Sequence, residues 1–171
     1  MLRQIKVVWL FLGLLIGNLN QVLAVPFAPG FHLPTREGSV SLSGLKGEVV
    51  YLDFWASWCL PCRKSFPWMN ELQASYQEQG LKVIAINLDE DRAVAERFLE
   101  HLPAHFTVAF DARGQSAEIY KVLGMPSSYI IDRQGRLQVT HVGFRERDKK
   151  TMEKSIRHWL SQPLQSKGVK E

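Results

Sequence analysis

Two runs of apolar, β-branched and aromatic residues constrain the fold more than any other feature of this chain. Residues 48–55 (EVVYLDFW) and 81–88 (LKVIAINL) are each of strand length, and neither shows a regular polar alternation. A strand with one face in water alternates, whereas a strand covered on both faces reads as a nearly continuous apolar run. Both are expected as buried strands, the first of them central, with a single acid, Asp53, in its middle.

Periodicity supplies the remaining elements. Over residues 60–79, Phe66, Met69, Leu72 and Tyr76 recur at helical spacing and Gly80 ends the pattern, which predicts an amphipathic helix with a glycine stop. A second helix is expected from Asp89 or Asp91 as cap to about Leu102, then a strand over 106–110 and a short helix over 116–123 ended by Gly124. A strand over 128–132, a turn at Gln134-Gly135, an antiparallel strand over 137–142 and a closing helix over 146–161 follow. Ahead of them, residues 25–45 are rich in Gly, Pro and Ser, and the pieces 31–33 and 39–42 suit a small hairpin. Alternating βα units that finish in a hairpin and a helix imply an α/β domain whose mixed central sheet is flanked by helices. The 171 residues leave room for one such domain and little else.

The first residues read as an address. Arg3 and Lys6 precede an apolar run of eleven residues, Val7 to Gly17, which Asn18, Asn20 and Gln21 interrupt. A spanning helix needs roughly 20 apolar residues, a secretory core only about 7 to 15. Residues 1–24 are expected to be a signal peptide ending in Val22-Leu23-Ala24, with an uncleaved membrane anchor as the alternative. Residues 25–171 then form the domain, periplasmic or otherwise outside the cytoplasm. Without Arg3 and Lys6 the net charge of +4 falls to +2. Eight Lys/Arg against four Asp/Glu fall in residues 145–171. Basic and aromatic residues do not interleave there, so the stretch reads as the solvated face and tail of a last helix. No nucleic-acid partner is expected.

Cys59 and Cys62 are the only cysteines. Export favours disulfides, but a bridge across three positions closes too small a loop to staple a fold. A redox-active pair explains them better. Cys59 stands between strand and helix, with Cys62 in the first helical turn. Unpaired N–H groups at a helix N-terminus carry partial positive charge, which stabilises a thiolate and lowers its pKa. Cys59 is therefore expected to attack a partner's disulfide, and Cys62 to resolve the mixed disulfide. Pro61 suits a first-turn position, where no N–H is needed. An inert disulfide or half of a metal site is the alternative. No second CxxC is present, Arg63 after Cys62 gives no haem-attachment motif, and His32, His101, His105, His141 and His158 are scattered without ligand spacing. Neither a metal nor a cofactor beyond the cysteine pair is expected.

Residues 53–62, DFWASWCLPC, resemble the WCxPC active-site segment of thioredoxin-fold proteins, and residues 124–128, GMPSS, resemble the segment holding their cis-proline. The leading segment, the helix expected over 91–102 and the KSFP continuation at 64–67 make the chain most similar to the exported TlpA/ResA-like branch. The resemblance implies a thioredoxin-like fold with an N-terminal hairpin extension and an extra central helix. It implies Cys59 as the attacking and Cys62 as the resolving cysteine, with Trp58 and Pro61 shaping the site. Pro126 matches the proline that is cis beside the sulfurs, and Met125 the residue whose backbone pairs with a substrate strand. Asp53 falls where thioredoxins carry a buried acid that relays a proton to the resolving cysteine. A carboxyl in a buried strand has a raised pKa and can accept the Cys62 proton. Some ResA-like members carry an acid three residues after the second cysteine, where this chain has Ser65, which shifts the weight onto Asp53.

The resulting expectation is an enzyme, an exported monomeric thiol-disulfide oxidoreductase that reduces protein disulfides. The resemblance also implies a membrane electron-donor protein that recharges it, and clients in cytochrome c or oxidase assembly. The alternatives are a disulfide oxidase or isomerase on the same fold, a peroxiredoxin-like thiol peroxidase, and a copper-binding chaperone.

Overall fold

The lead-in forms a separate antiparallel hairpin, β1 (His32–Pro34) with β2 (Ser39–Ser41), in a computed structural model that describes residues 25–163. The signal peptide expected over residues 1–24 lies outside the described residues. The main sheet and its helices follow as β3 (Val49–Trp55), α1 (Leu60–Tyr76), β4 (Leu81–Asn87), α2 (Arg92–His101), β5 (Thr107–Phe110), α3 (Gln115–Ile119), β6 (Ser127–Ile131), β7 (Leu137–Val142) and α4 (Glu146–Ser161). Strand order is β5-β4-β3-β6-β7, with β3, β4 and β5 mutually parallel and β6 and β7 antiparallel to their neighbours. The mixed sheet is the one the sequence pattern implies, and every residue of its central strand β3 is buried.

Side chains alternate across a strand, and β3 divides its run between two cores. Val49, Tyr51 and Trp55 join Cys59, Cys62, Phe66 and Met69 of the α1 side, together with Met152 and Ile156 of α4. Val50, Leu52 and Phe54 face the other way, onto Phe31, Leu42, Tyr120 and Tyr129. By the same alternation Asp53 points to the side of the cysteines. Phe98 of the extra helix α2 joins an aromatic cluster there with Trp55 and Phe66. Trp55 lies 4.8 Å from Phe66 and 4.9 Å from Phe98, and Phe66 lies 5.4 Å from Phe106, between ring centres. Each such pair contributes about 0.5–1.5 kcal/mol beyond its buried area.

Two helix ends depart from the periodic expectation. α1 gives way at Tyr76 to a 3-10 turn, Gln77–Gln79, which Gly80 closes at φ 90°. α3 stops at Ile119, because Lys121 turns the chain at φ 55° before Gly124 is reached. Of Asp89 and Asp91, the two expected caps of α2, Asp91 is the cap, its Oδ1 accepting the Ala93 amide at 2.9 Å.

Register brings several chain ends to one end of the sheet. Trp55 stands opposite Asn87, Asn87 opposite Phe110, Phe54 opposite Ser127, and Ser127 opposite Val142. The loops after β3, β4, β5 and β7 and the loop before β6 therefore crowd the same end.

Candidate active site

Residues 56–59 turn the chain from β3 into α1, and the Cys59 amide donates to the Ala56 carbonyl at 3.0 Å. Cys59 is the N-cap of α1: its Sγ accepts a hydrogen bond from the Cys62 amide at 3.3 Å. The sulfur thus occupies the place where helix amides have no partner of their own. Pro61 stands in the first turn. Cys59 and Cys62 are joined as a disulfide. Cys59 is 4% exposed and Cys62 fully buried, so what access there is falls to Cys59. Trp58 and Leu60 stand out on either side of it, each 69% exposed.

The loop before β6 brings Met125 against the core that holds both cysteines, and the Met125–Pro126 peptide is cis. Gly143 donates its amide to the Pro126 carbonyl at 2.7 Å, which ties the β7–α4 loop to the proline. Leu123 and Val142 remain on the rim as exposed apolar side chains.

Asp53 lies beneath this surface, completely buried. Its Oδ1 accepts a hydrogen bond from Ser128 Oγ at 3.0 Å, and its Oδ2 has no partner among the described residues. Burial pushes the carboxyl up to about 8, against a smaller downward pull from Ser128. The neighbouring Tyr51 hydroxyl is pushed up by its own burial and by Asp53. Ser65, where the resemblance allows an acid, is buried and donates its hydroxyl to the Cys62 carbonyl at 2.9 Å. The fold therefore brings Asp53, Cys59, Cys62 and Met125 onto one side of the sheet, with Trp58 and Pro126 on the loops at its end and Pro61 in the first turn of α1.

Among the described residues no group of three His, Cys, Asp or Glu side chains is placed to hold a metal ion. His32, His101, His105 and His158 are exposed, and His141 is half-buried with its Nε2 3.4 Å from Asp148 Oδ2. Sequence reasoning missed Ser128 and Ser57. It took Asp89 only for a possible helix cap. Each acts through a partner distant in sequence, so a strand register or a loop return is needed to see it.

Residues 26–140 match the model of the AhpC/TSA family. The chain belongs to that family. It is 38% identical over 111 residues to the thiol-disulfide oxidoreductase ResA of Bacillus thuringiensis subsp. konkukian, covering 64% of each chain. It is 37% identical over 117 residues to the protein of the same name from Bacillus cereus strain ZK / E33L, covering 68% of each. The chain thus spans about two-thirds of the length of these curated relatives. Among solved structures, a putative thiol:disulfide interchange protein DsbE from Chlorobium tepidum is 53% identical, with a TM-score of 0.78 over 79% of this chain and 96% of that one. This AhpC/TSA member therefore has the thioredoxin-like fold.

Proposed function

We propose that this AhpC/TSA-family protein is a thiol-disulfide oxidoreductase that acts on protein disulfides outside the cytoplasm, with Cys59 and Cys62 as the reacting pair. The observation that carries the reading is the placement of the pair: one sulfur N-caps α1 at the edge of the surface, the other is sealed beneath it.

In the reducing direction the Cys59 thiolate attacks a client disulfide. A mixed disulfide forms, and the first client sulfur leaves as a thiolate that takes a proton from water. Cys62 then attacks Cys59 Sγ, the second client sulfur leaves, and the enzyme is left as the disulfide. Two electrons have passed to the client. Asp53, in its ionised form, is the group that accepts the Cys62 proton, because it is a buried carboxyl on the cysteines' side of the sheet and burial, by pushing it up to about 8, makes its carboxylate a base matched to a thiol. Pro126 and the Met125 backbone position the client strand, and Trp58 and Pro61 shape the opening. A membrane electron-donor protein returns the pair to the dithiol, and residues 1–24 direct export. Cytochrome c or oxidase assembly proteins are the proposed clients.

The test is trapping. Cys62→Ser should leave Cys59 in stable mixed disulfides with its clients, while the parent protein reduces insulin. If nothing is trapped and insulin stays oxidised, the reading is wrong. The reduction potential separates reductase from oxidase, since such proteins range from about −270 to −120 mV.

A further inference from the structure

Asp89 lies two residues beyond β4 and is 6% exposed, yet it does not serve the helix that follows. Its carboxylate reaches back to the turn before the cysteines. Oδ2 accepts the Ser57 amide at 2.9 Å and Oδ1 accepts the Ser57 hydroxyl at 2.9 Å. Asn87, 1% exposed, locks the acid from the other side: its Nδ2 donates to Asp89 Oδ2 at 2.7 Å, and its Oδ1 accepts the Asp89 amide at 3.1 Å. Next to this clamp the Leu88 amide donates to the Trp55 carbonyl at 2.9 Å. The turn that presents Cys59 is therefore gripped by one acid two residues ahead of the sulfur.

We propose that Asp89 is a positioning residue for the Cys59 thiolate, holding the 56–59 turn through Ser57 so that Cys59 Sγ stays on the Cys62 amide. The inference rests on the reading of Cys59 as the attacking cysteine.

A carboxylate near a thiolate can act in two ways, and they have opposite signs. As a bare charge it disfavours a second negative charge, so removing it lowers the thiol pKa. As a clamp it preserves a hydrogen bond to the thiolate, so removing it raises the pKa. The clamp wins here. Three donors converge on the two carboxylate oxygens and draw off their charge, whereas the amide meets the sulfur directly, at 3.3 Å in the disulfide form, and stands where a thiolate at Cys59 would accept from it. The other charged groups at this end of the sheet include Asp53 on β3, Arg63 and Lys64 on α1, Glu90 and Asp91 before α2, Arg92 at its start, Asp111 and Arg113 after β5, Lys121 before β6 and Arg145 after β7. They are common to parent and variant, so a difference between the two belongs to Asp89.

The experiment follows the rate of Cys59 alkylation by iodoacetamide against pH in the reduced protein. Asp89→Asn should move the midpoint upward by about one pH unit, an approximately tenfold slower reaction below it. Ser57→Ala, which keeps the backbone half of the clamp, should move it the same way by less. The double variant should move it no further than Asp89→Asn, because both changes act through one contact. An unchanged or lowered midpoint in folded Asp89→Asn overturns the assignment. Where circular dichroism shows that variant unfolded, Ser57→Ala decides by the same criterion. Failure of the parent to reduce insulin sinks the oxidoreductase reading instead, a result independent of the difference in midpoint.

Discussion

Ser128 Oγ donates to Asp53 Oδ1 across the antiparallel pairing of β6 with β3, and this is the only hydrogen bond the buried carboxyl makes among the described residues. A single hydroxyl does not replace the water that an ionised carboxylate loses on burial, so the proton is held up to about pH 8. The acid beneath the cysteines is therefore poised to take up or release a proton, at a cost to the fold whenever it is ionised.

That cost has a defined pH window. An unfolded aspartate titrates at about 3.9, and Asp53 in the fold at about 8. Between these values the folded state binds a proton that the unfolded state has lost, so stability falls as pH rises through the window and the loss is complete above it. Asp53→Asn removes the titration. The variant should be more stable than the parent above pH 8, by several kcal/mol as an order of magnitude, and nearly equal to it below pH 4. Urea unfolding at pH 9 and at pH 4 checks this, and equal midpoints at pH 9 contradict it.

Ser128→Ala takes away the one contact that favours the ionised carboxyl. Asp53 should then hold its proton to a still higher pH. If Asp53 accepts the Cys62 proton, the pH profile of mixed-disulfide resolution should shift upward in Ser128→Ala and lose its dependence on this group in Asp53→Asn. Stopped-flow resolution of a preformed mixed disulfide gives the profile. A profile identical in all three proteins excludes the relay.

The parts of this molecule that bury continuous apolar surface were legible in the sequence. β3, β4 and α1 declare themselves because Val49 to Trp55 and Leu81 to Asn87 are covered on both faces, and Phe66, Met69 and Leu72 repeat on one helix face. Cys59 and Cys62 were legible because their spacing has few chemical meanings. Asp89 was ambiguous for a physical reason: an acid just before a helix satisfies capping geometry at either of two positions, and only the fold shows that Asp91 caps while Asp89 returns to Ser57. Ser128 was silent, because its meaning depends on standing opposite Asp53 in the strand register.

Seven large apolar residues are exposed among the described residues, and Trp58, Leu60, Leu123 and Val142 are at the cysteine end of the sheet. Leu123, at 92% exposure, makes almost no contribution to the core. Leu123→Ser should leave the melting temperature unchanged while raising KM for a protein disulfide several-fold, with kcat nearly constant, the pattern of lost uniform binding. Turnover of a small disulfide should be unaffected. A KM unchanged for the protein substrate removes Leu123 from the contact surface.

The far end of the sheet offers a test of stability alone. Gly80 has φ 90°, and a Cβ there would stand 2.8 Å from Arg133 Nη1 and 2.9 Å from Glu48 Oε2. Arg133 is not free to yield at no cost. Its guanidinium donates to the carbonyls of Gly47 at 2.7 Å, Gln79 at 2.9 Å and Leu160 at 3.1 Å, joining the starts of β3 and β4 to the end of α4. Gly80→Ala therefore combines left-handed backbone strain of about 1–2 kcal/mol with the loss of charged hydrogen bonds worth about 1.5–3 kcal/mol. The melting temperature should fall by roughly 10 °C, at about 2–4 °C per kcal/mol for a domain of this size. The second contribution disappears when Arg133 is already absent, so Gly80→Ala should cost less in an Arg133→Ala background than in the parent. Cys59 alkylation, measured well below the melting range, should be unchanged in both. Equal costs in the two backgrounds would show that the strain is confined to the Gly80 backbone and that Arg133 moves aside freely.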